Sequence, residues 1–324
     1  MKRIVWLETH APEVKALALK NLPNGFELVF PESKEDRAEH ARLIAGADYL
    51  ITGSIHVDRA QLEGAKSLRL IQKFGVGVDK IDCEAARDLK IPVYITAGAN
   101  AAPVAELAVS LMLAANRRVV YIDRTVRAGK WIKPQLRTQC YMLDGKVVGL
   151  LGIGNIAKQV VRMLAGFETE MVYYDVNRLS AEDEANLGVR YVPFEELLQV
   201  SDILSVHVPL CEATRGMIGV KELAAMKPTS ILINTARGGI VDETALIEAL
   251  RKGGIRGAGL DAFEEEPIGA DNPLLAMDNV VLTCHCGGST IDNMLPRMVH
   301  AYGNIERFEA GLPVDSRDIV VGGS

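Results

Sequence analysis

The sequence predicts an α/β protein made of two doubly wound units, each a parallel sheet with helices packed on it. Two observations carry that expectation. Short apolar and β-branched runs alternate with helical segments along the whole chain, the pattern of successive strand–helix–strand crossovers. The series then starts afresh near residue 147, and 324 residues with 48% apolar content suit two cores.

The first series reads as strands at 4–7, 27–30, 49–52, 70–73 and 93–95, with helices near 12–21, 35–45 and 82–90. Residues 101–128 read as one long helix leading into the second unit. That unit opens with Val147-Val148-Gly149-Leu150-Leu151, a continuous apolar run suited to a buried strand. Further strands are expected at 170–174, 203–206, 230–234, 257–260 and 280–283. A last helix over 292–310 returns to the first unit, and the turn-rich tail 311–315 lies on its surface. The expected domains are therefore 1–99 with 291–324, and 100–290 inserted between them.

Composition narrows the function. Net charge is −6 and positive charge forms no long stripe, which argues against nucleic acid as a partner. Cysteines at 83, 140, 211, 284 and 286 have no disulfide-framework spacing, which points to the reducing cytoplasm. The N-terminus reads as a strand whose apolar stretch is too short for a signal peptide. The most hydrophobic helical stretch, 104–115, contains Glu106 and is too short to cross a membrane, so no membrane association is expected.

The strongest motif is Gly152-Ile153-Gly154-Asn155-Ile156-Ala157, set directly after the 147–151 strand and before a helix-like segment. The next strand ends in Asp175, 23 residues after Gly152. This order of strand, glycine turn, helix, strand and acid is a dinucleotide-binding fingerprint. Gly152 allows the tight turn, Gly154 lets the backbone approach a pyrophosphate, and Ala157 lets the helix pack on the strand. The phosphates would sit on free N–H groups at the helix N-terminus, and Asp175 would accept from the ribose hydroxyls.

Three later segments hold candidate catalytic groups. Arg237 follows a buried strand, at the end where ligands bind such sheets, and its fork suits a carboxylate or keto oxygen. Glu264-Glu265-Glu266 follows the next strand; only its position before Pro267 distinguishes Glu266. His285 follows the last strand among glycines and small polar residues. A carboxylate partner would orient its ring, favour the charged form and suit it to acid–base work. Cys284-His285-Cys286 does not read as a zinc site, because no second ligand cluster exists and strand alternation would separate the thiols from the imidazole.

With these segments in hand, the sequence resembles the D-isomer-specific 2-hydroxyacid dehydrogenase family over almost its whole length, and within it the glyoxylate and hydroxypyruvate reductases and phosphoglycerate dehydrogenases. The matching segments are GIGNIA with Asp175, HVPL at 207–210, NTARGG at 234–239, DAFEEEP at 261–267, HCGGST at 285–290, FGVGVDKID at 74–82 and AGANAAPVAE at 97–106. The resemblance implies a flavodoxin-like substrate domain built from both chain ends, an inserted Rossmann domain for NAD, and an active site in the cleft. It implies Arg237, Glu266 and His285 as catalytic residues, with His285 the general acid–base for hydride transfer between a 2-hydroxy acid and its 2-keto acid. It implies cofactor contacts from Gly152, Gly154, Asn155, Ile156, Asp175, His207, Pro209, Thr214, Thr235, Ala236, Arg237, Asp261, His285 and Gly287, with Val104 against the nicotinamide. Gly75, Val76 and Gly77 would form a small nest for the substrate carboxylate, with Arg237 on the 2-oxygen.

Some positions depart from common members. Cys284 stands where proline is usual, Cys286 where an aliphatic residue is usual, and Ala97 where proline is frequent. Lys73 places a charge just before the expected carboxylate turn. The alternatives are a dedicated D-3-phosphoglycerate dehydrogenase and an NAD(H)-sensing, corepressor-like binding protein. A homodimer is expected, because 101–128 continues apolar through Tyr121, Ile122 and Val126 into an irregular arm at 131–142.

Overall fold

Six strands form the first sheet, in the order Ile319–Val321, Val93–Tyr94, Leu70–Lys73, Tyr49–Thr52, Lys2–Trp6 and Phe26–Val29. The computed structural model, which describes residues 1–322, places this sheet in one compact unit of residues 1–100 with 289 onward, and residues 101–288 in a second. Leaving out the C-terminal strand, the first sheet has flavodoxin-like order and all its pairs are parallel. Alternate residues feed two cores: Ile4, Trp6, Tyr49 and Ile51 on one face, Val5, Leu7, Leu50 and Ile71 on the other. Helix Ile291–Glu309 covers the first of these faces with Met298, Ala301, Tyr302 and Ile305, spaced as one helical stripe.

The second unit holds seven strands in the order Val280–Leu282, Gly257–Leu260, Ile231–Asn234, Ile203–Val206, Val147–Leu151, Glu170–Tyr174 and Arg190–Tyr191, every pair parallel. This is the Rossmann order with an added edge strand. The order reverses beside Val147–Leu151, so ligands are expected at the carboxyl ends of that strand and its neighbours. Helices Ala101–Arg117 and Asn155–Leu164 pack on one face through Ala105, Ala108, Leu111 and Met112, and through Ala157, Val160 and Leu164.

Two sequence expectations are corrected, and one strand is added. The 101–128 segment is two helices, Ala101–Arg117 and Val119–Arg127, broken at Arg118 with φ 53°. A left-handed arginine is uncommon, and the apolar periodicity runs through the break without marking it. The turn is held by the Arg118 guanidinium, which donates to Gln139 Oε1 and stacks 4.4 Å from the centre of the Tyr121 ring. Beyond the 311–315 tail lies a strand that the sequence reading did not assign. Ile319–Val321 adds an antiparallel edge strand to Val93–Tyr94. Buried Asp318 anchors it, accepting from the Ala97 N–H at 2.8 Å and pairing with His300 Nε2 at 2.6 Å. The 131–142 arm contains a short helix, Lys133–Leu136, with Trp131 79% and Met142 66% exposed.

Candidate active site

In the second unit, the turn after Val147–Leu151 is shaped for close approach. Gly152 has φ +95°, and a Cβ there would lie 2.9 Å from the His207 carbonyl carbon and 3.0 Å from Val208 Cγ1. Only glycine fits both the backbone and the space. Helix Asn155–Leu164 begins with no side-chain cap, whereas Asp36, Asp58, Ser180 and Asp242 cap other helices of the chain. Its first-turn N–H groups therefore suit an external anion. Asp175 ends the next strand and orders the turn itself, accepting from Ile153 N–H and Asn177 N–H at 2.9 Å each. These features fit a dinucleotide with a free ribose. Arg178 is held by Glu184 through two bonds, Nε–Oε1 2.8 Å and Nη2–Oε2 3.1 Å.

His207 follows the Ile203–Val206 strand, with its Nε2 2.9 Å from Ser205 Oγ; burial pushes its pKa down to about 4. Thr214 Oγ1 donates to the Pro209 carbonyl at 2.6 Å and accepts from the Cys211 N–H at 2.9 Å, closing the 209–214 loop. Beyond strand Ile231–Asn234, Asn234 folds the next turn by donating to the Arg237 carbonyl at 2.9 Å and accepting from the Ala236 N–H at 3.0 Å. Thr235 is buried there. Gly238 permits the closest approach in this region, since a Cβ would stand 1.9 Å from the Phe263 carbonyl carbon. That approach sets the Arg237 turn against the loop that carries Glu266.

Glu266 is the acid that faces His285. Its two oxygens lie 2.9 and 2.8 Å from His285 Nδ1, and Oε1 also accepts from the Phe263 N–H at 3.2 Å. Glu264 is turned elsewhere and exchanges backbone caps with Glu243. The Glu266–Pro267 bond is cis. His285 lies beyond the last strand with φ 53°, so residues 284–286 do not alternate as a strand would.

Asp261 has a structural part that the sequence did not announce. Only 2% exposed, it accepts from Thr283 Oγ1 at 2.7 Å and from the Cys286 and Gly287 N–H groups at 2.9 Å each. It thereby anchors the loop that presents His285. A carboxylate has about four acceptor sites, so one remains for a carboxamide. Gly287 and Val104 meet beside it: a Cβ on Gly287 would stand 3.1 Å from Asp261 Oδ2 and 3.4 Å from Val104 Cγ2.

In the first unit, Gly75 has φ +139° and its N–H donates to Thr96 Oγ1 at 3.1 Å. The donors this turn offers an anion are thus those of Val76 and Gly77. Lys73 is buried, and its ammonium donates to the Gly53 carbonyl. Glu8 holds that same loop, accepting from the Gly53 and Ser54 N–H groups at 2.5 and 2.7 Å. Sequence reasoning passed over Arg297. It donates to the Phe74 carbonyl at 3.0 Å and lies 4.0 Å over the Phe74 ring, and burial lowers its pKa to about 10. Its place beside Met298 on an amphipathic helix was the available signal. A cavity of about 450 Å³ in this unit is lined by Ala97, His300, Asn304, Arg307 and Asp318, none of them among the expected site residues.

Comparison with known proteins places these features in a family. Residues 109–287 match the model of the D-isomer specific 2-hydroxyacid dehydrogenase NAD-binding domain. The glyoxylate reductase of Korarchaeum cryptofilum is 41% identical over 299 residues, covering 90% of this chain and 88% of that protein. The hydroxypyruvate reductase of Thermotoga maritima is 39% identical over 278 residues, covering 85% and 89%. The crystal structure of an NAD-dependent formate dehydrogenase from Staphylococcus aureus, in complex with NAD, superposes with a TM-score of 0.89 at 29% identity over 99% of this chain and 100% of that one. With a Rossmann sheet, a glycine turn fitted to a dinucleotide and relatives of this closeness, the chain belongs to the D-isomer specific 2-hydroxyacid dehydrogenase family and is an NAD-dependent oxidoreductase acting on CH–OH donors.

Proposed function

We propose that this protein reduces a small 2-keto acid of the glyoxylate or hydroxypyruvate type with NADH, using His285 as the general acid. The observation that carries the reading is the Glu266–His285 pair, with both carboxylate oxygens within 2.9 Å of Nδ1. With Nδ1 engaged, Nε2 is the nitrogen directed to chemistry. Bound NADH supplies the hydride for C2. His285 Nε2 gives its proton to the developing alkoxide, and in the reverse direction the neutral ring takes the hydroxyl proton. Glu266 steadies the charged imidazole, while Arg237 holds the 2-oxygen and favours negative charge on it. The Val76 and Gly77 N–H groups of the Gly75–Gly77 turn take the substrate carboxylate. In this reading residues 1–99 and 291–324 hold substrate and residues 100–290 hold cofactor. Gly152, Gly154, Asn155 and Ile156 would hold the pyrophosphate and Asp175 the ribose. His207, Pro209, Thr214, Thr235 and Ala236 would line the path to the nicotinamide, with Val104, Asp261 and Gly287 beside it.

The names of the two relatives support this substrate class. Phosphohydroxypyruvate, the keto acid of a phosphoglycerate dehydrogenase, is the second reading, and a cofactor-sensing binding protein is the third. A panel of 2-keto acids with NADH decides among them. Glyoxylate or hydroxypyruvate should give the highest kcat/KM; a tenfold advantage for phosphohydroxypyruvate would overturn the substrate, and no turnover of any member would overturn the enzyme. His285→Ala should lower kcat by about 10²-fold or more, the scale of a lost general acid, while NADH affinity changes little.

We also infer a homodimer in the reducing cytoplasm. Val119, Val120, Trp131 and Met142 expose apolar surface along one stretch of chain, and all five cysteines are free thiols. Among the described residues no helix is long and apolar enough to cross a membrane. Light scattering at micromolar concentration should give twice the chain mass.

A further inference from the structure

We infer that Cys284 and Cys286 form a reversible redox switch: peroxide joins their sulfurs in a disulfide across His285, and the enzyme stops turning over. The second half of this inference rests on His285 being the general acid–base.

The backbone sets the Cα atoms of the two cysteines within the range a disulfide spans. The Cα separation of residues i and i+2 depends only on φ and ψ of the residue between them. An extended middle residue sets them about 6.6 Å apart, near the upper limit for a disulfide. His285 has φ 53°, which for a residue with a side chain means the left-handed helical well. Helical geometry of either hand shortens the separation to about 5.4 Å, close to the commonest disulfide value. The same φ is rare for a histidine, so the conformation that presents the catalytic ring also pairs its neighbours.

Burial first, then the Asp261 carboxylate, hold the Cys286 thiol above its ordinary pKa. Exposure sets the order of reaction. Cys284 is exposed and meets oxidant first, while Cys286 is partly buried. The Cys284 sulfur attacks one oxygen of hydrogen peroxide and breaks the O–O bond, giving a sulfenic acid and one water. The Cys286 sulfur then attacks the Cys284 sulfur, forming the S–S bond and releasing the second water. The two thiols lose two electrons and two protons, and the peroxide gains them.

Closing that ring acts on the chemistry through two contacts. The Cys286 N–H is one of the three donors on Asp261, and the His285 ring is held at 2.8 Å by Glu266. The Cα atoms are already at disulfide range, so the ring closes by turning the two cysteine side chains toward each other, and the adjustment this asks of the peptide groups on either side of His285 falls on the Cys286 N–H and on the imidazole. A displacement of about 1 Å at a catalytic group can cost about 10²-fold in rate.

The test exposes the purified enzyme to hydrogen peroxide, alkylates free thiols, and reads the 284–286 peptide by mass spectrometry beside NADH-dependent keto-acid reduction. The expected result is a peptide lighter by two hydrogens and unalkylated, a tenfold or greater loss of turnover, and recovery of both with dithiothreitol. The Cys284→Ser/Cys286→Ser double variant should keep at least half of its own starting turnover under the same exposure. Cys211→Ser should remain fully switchable, because Cys211 is exposed but not paired with a second thiol in sequence. Full alkylation of Cys284 and Cys286 in peroxide-inactivated enzyme would overturn the proposal. So would a disulfide that changes turnover less than twofold, or a Cys211→Ser enzyme that peroxide no longer inhibits. Failure of the acid–base reading shows separately, as near-normal turnover in His285→Ala with the disulfide mass unaffected by the reading.

Discussion

Asp261→Asn should disable the enzyme without touching substrate or the His285 ring directly. The buried carboxylate accepts three hydrogen bonds from the loop that carries His285, at 2.7, 2.9 and 2.9 Å. Asparagine has the same shape but one acceptor oxygen. With that oxygen in the Oδ1 place, Thr283 and Cys286 keep neutral bonds in place of charge-assisted ones. The amide then faces the Gly287 N–H, donor against donor, in a buried position. A bond to a charged group contributes about 1.5–3 kcal/mol and an unsatisfied buried donor costs about 1–3 kcal/mol, so the change should destabilise the loop by about 3–5 kcal/mol. That is a large share of the roughly 5–15 kcal/mol that holds a domain folded. Urea unfolding followed by tryptophan fluorescence, beside steady-state kinetics, checks it. The midpoint should fall, and kcat should drop about 10²-fold as the histidine loses its fixed place. A variant with an unchanged midpoint and kcat within threefold of the parent would refute the idea that Asp261 positions His285.

Glu266→Gln keeps size but leaves one oxygen in place of the two that hold His285 Nδ1, so kcat should fall while NADH affinity changes little; an unchanged kcat would remove the positioning role of Glu266. His207 has a folded pKa of about 4, lowered by burial from an ordinary value of 6.5. The unfolded chain therefore binds this proton first, and stability present above pH 6.5 is lost as pH falls toward 4, by about 3 kcal/mol at most. His207→Gln should flatten the acid side of a Tm-against-pH curve, and an identical slope would contradict the assignment. Asp175 beside an Arg178 already paired to Glu184 should repel a 2′-phosphate, so kcat/KM for NADH should exceed that for NADPH, with Asp175→Ala narrowing the gap. An NADPH advantage in the parent enzyme would sink that reading.

Much of this protein was legible before any coordinates. The strand series, the glycine turn with Asp175, and the strand ends that carry Arg237 and His285 all rest on local properties. Apolar runs form buried strands, a glycine tolerates the turn and the close approach at 152, and residues at strand ends fall where sheets bind ligands. What tertiary structure decided were pairings between residues distant in sequence. Three adjacent acids, 264–266, look alike in sequence, and only the folded loop turns Glu266 to His285 while Glu264 caps Glu243. Asp261 read as a cofactor contact, and the structure shows it anchoring the histidine loop through bonds to residues 22 to 26 positions away. The break at Arg118 and the antiparallel strand Ile319–Val321 escaped notice because periodicity reports which face is apolar, not where the chain turns or which edge it joins. The left-handed backbone at His285 belongs to the same class. Histidine has no intrinsic preference for it strong enough to read from composition, and it arises where the Asp261 and Glu266 contacts together hold the loop.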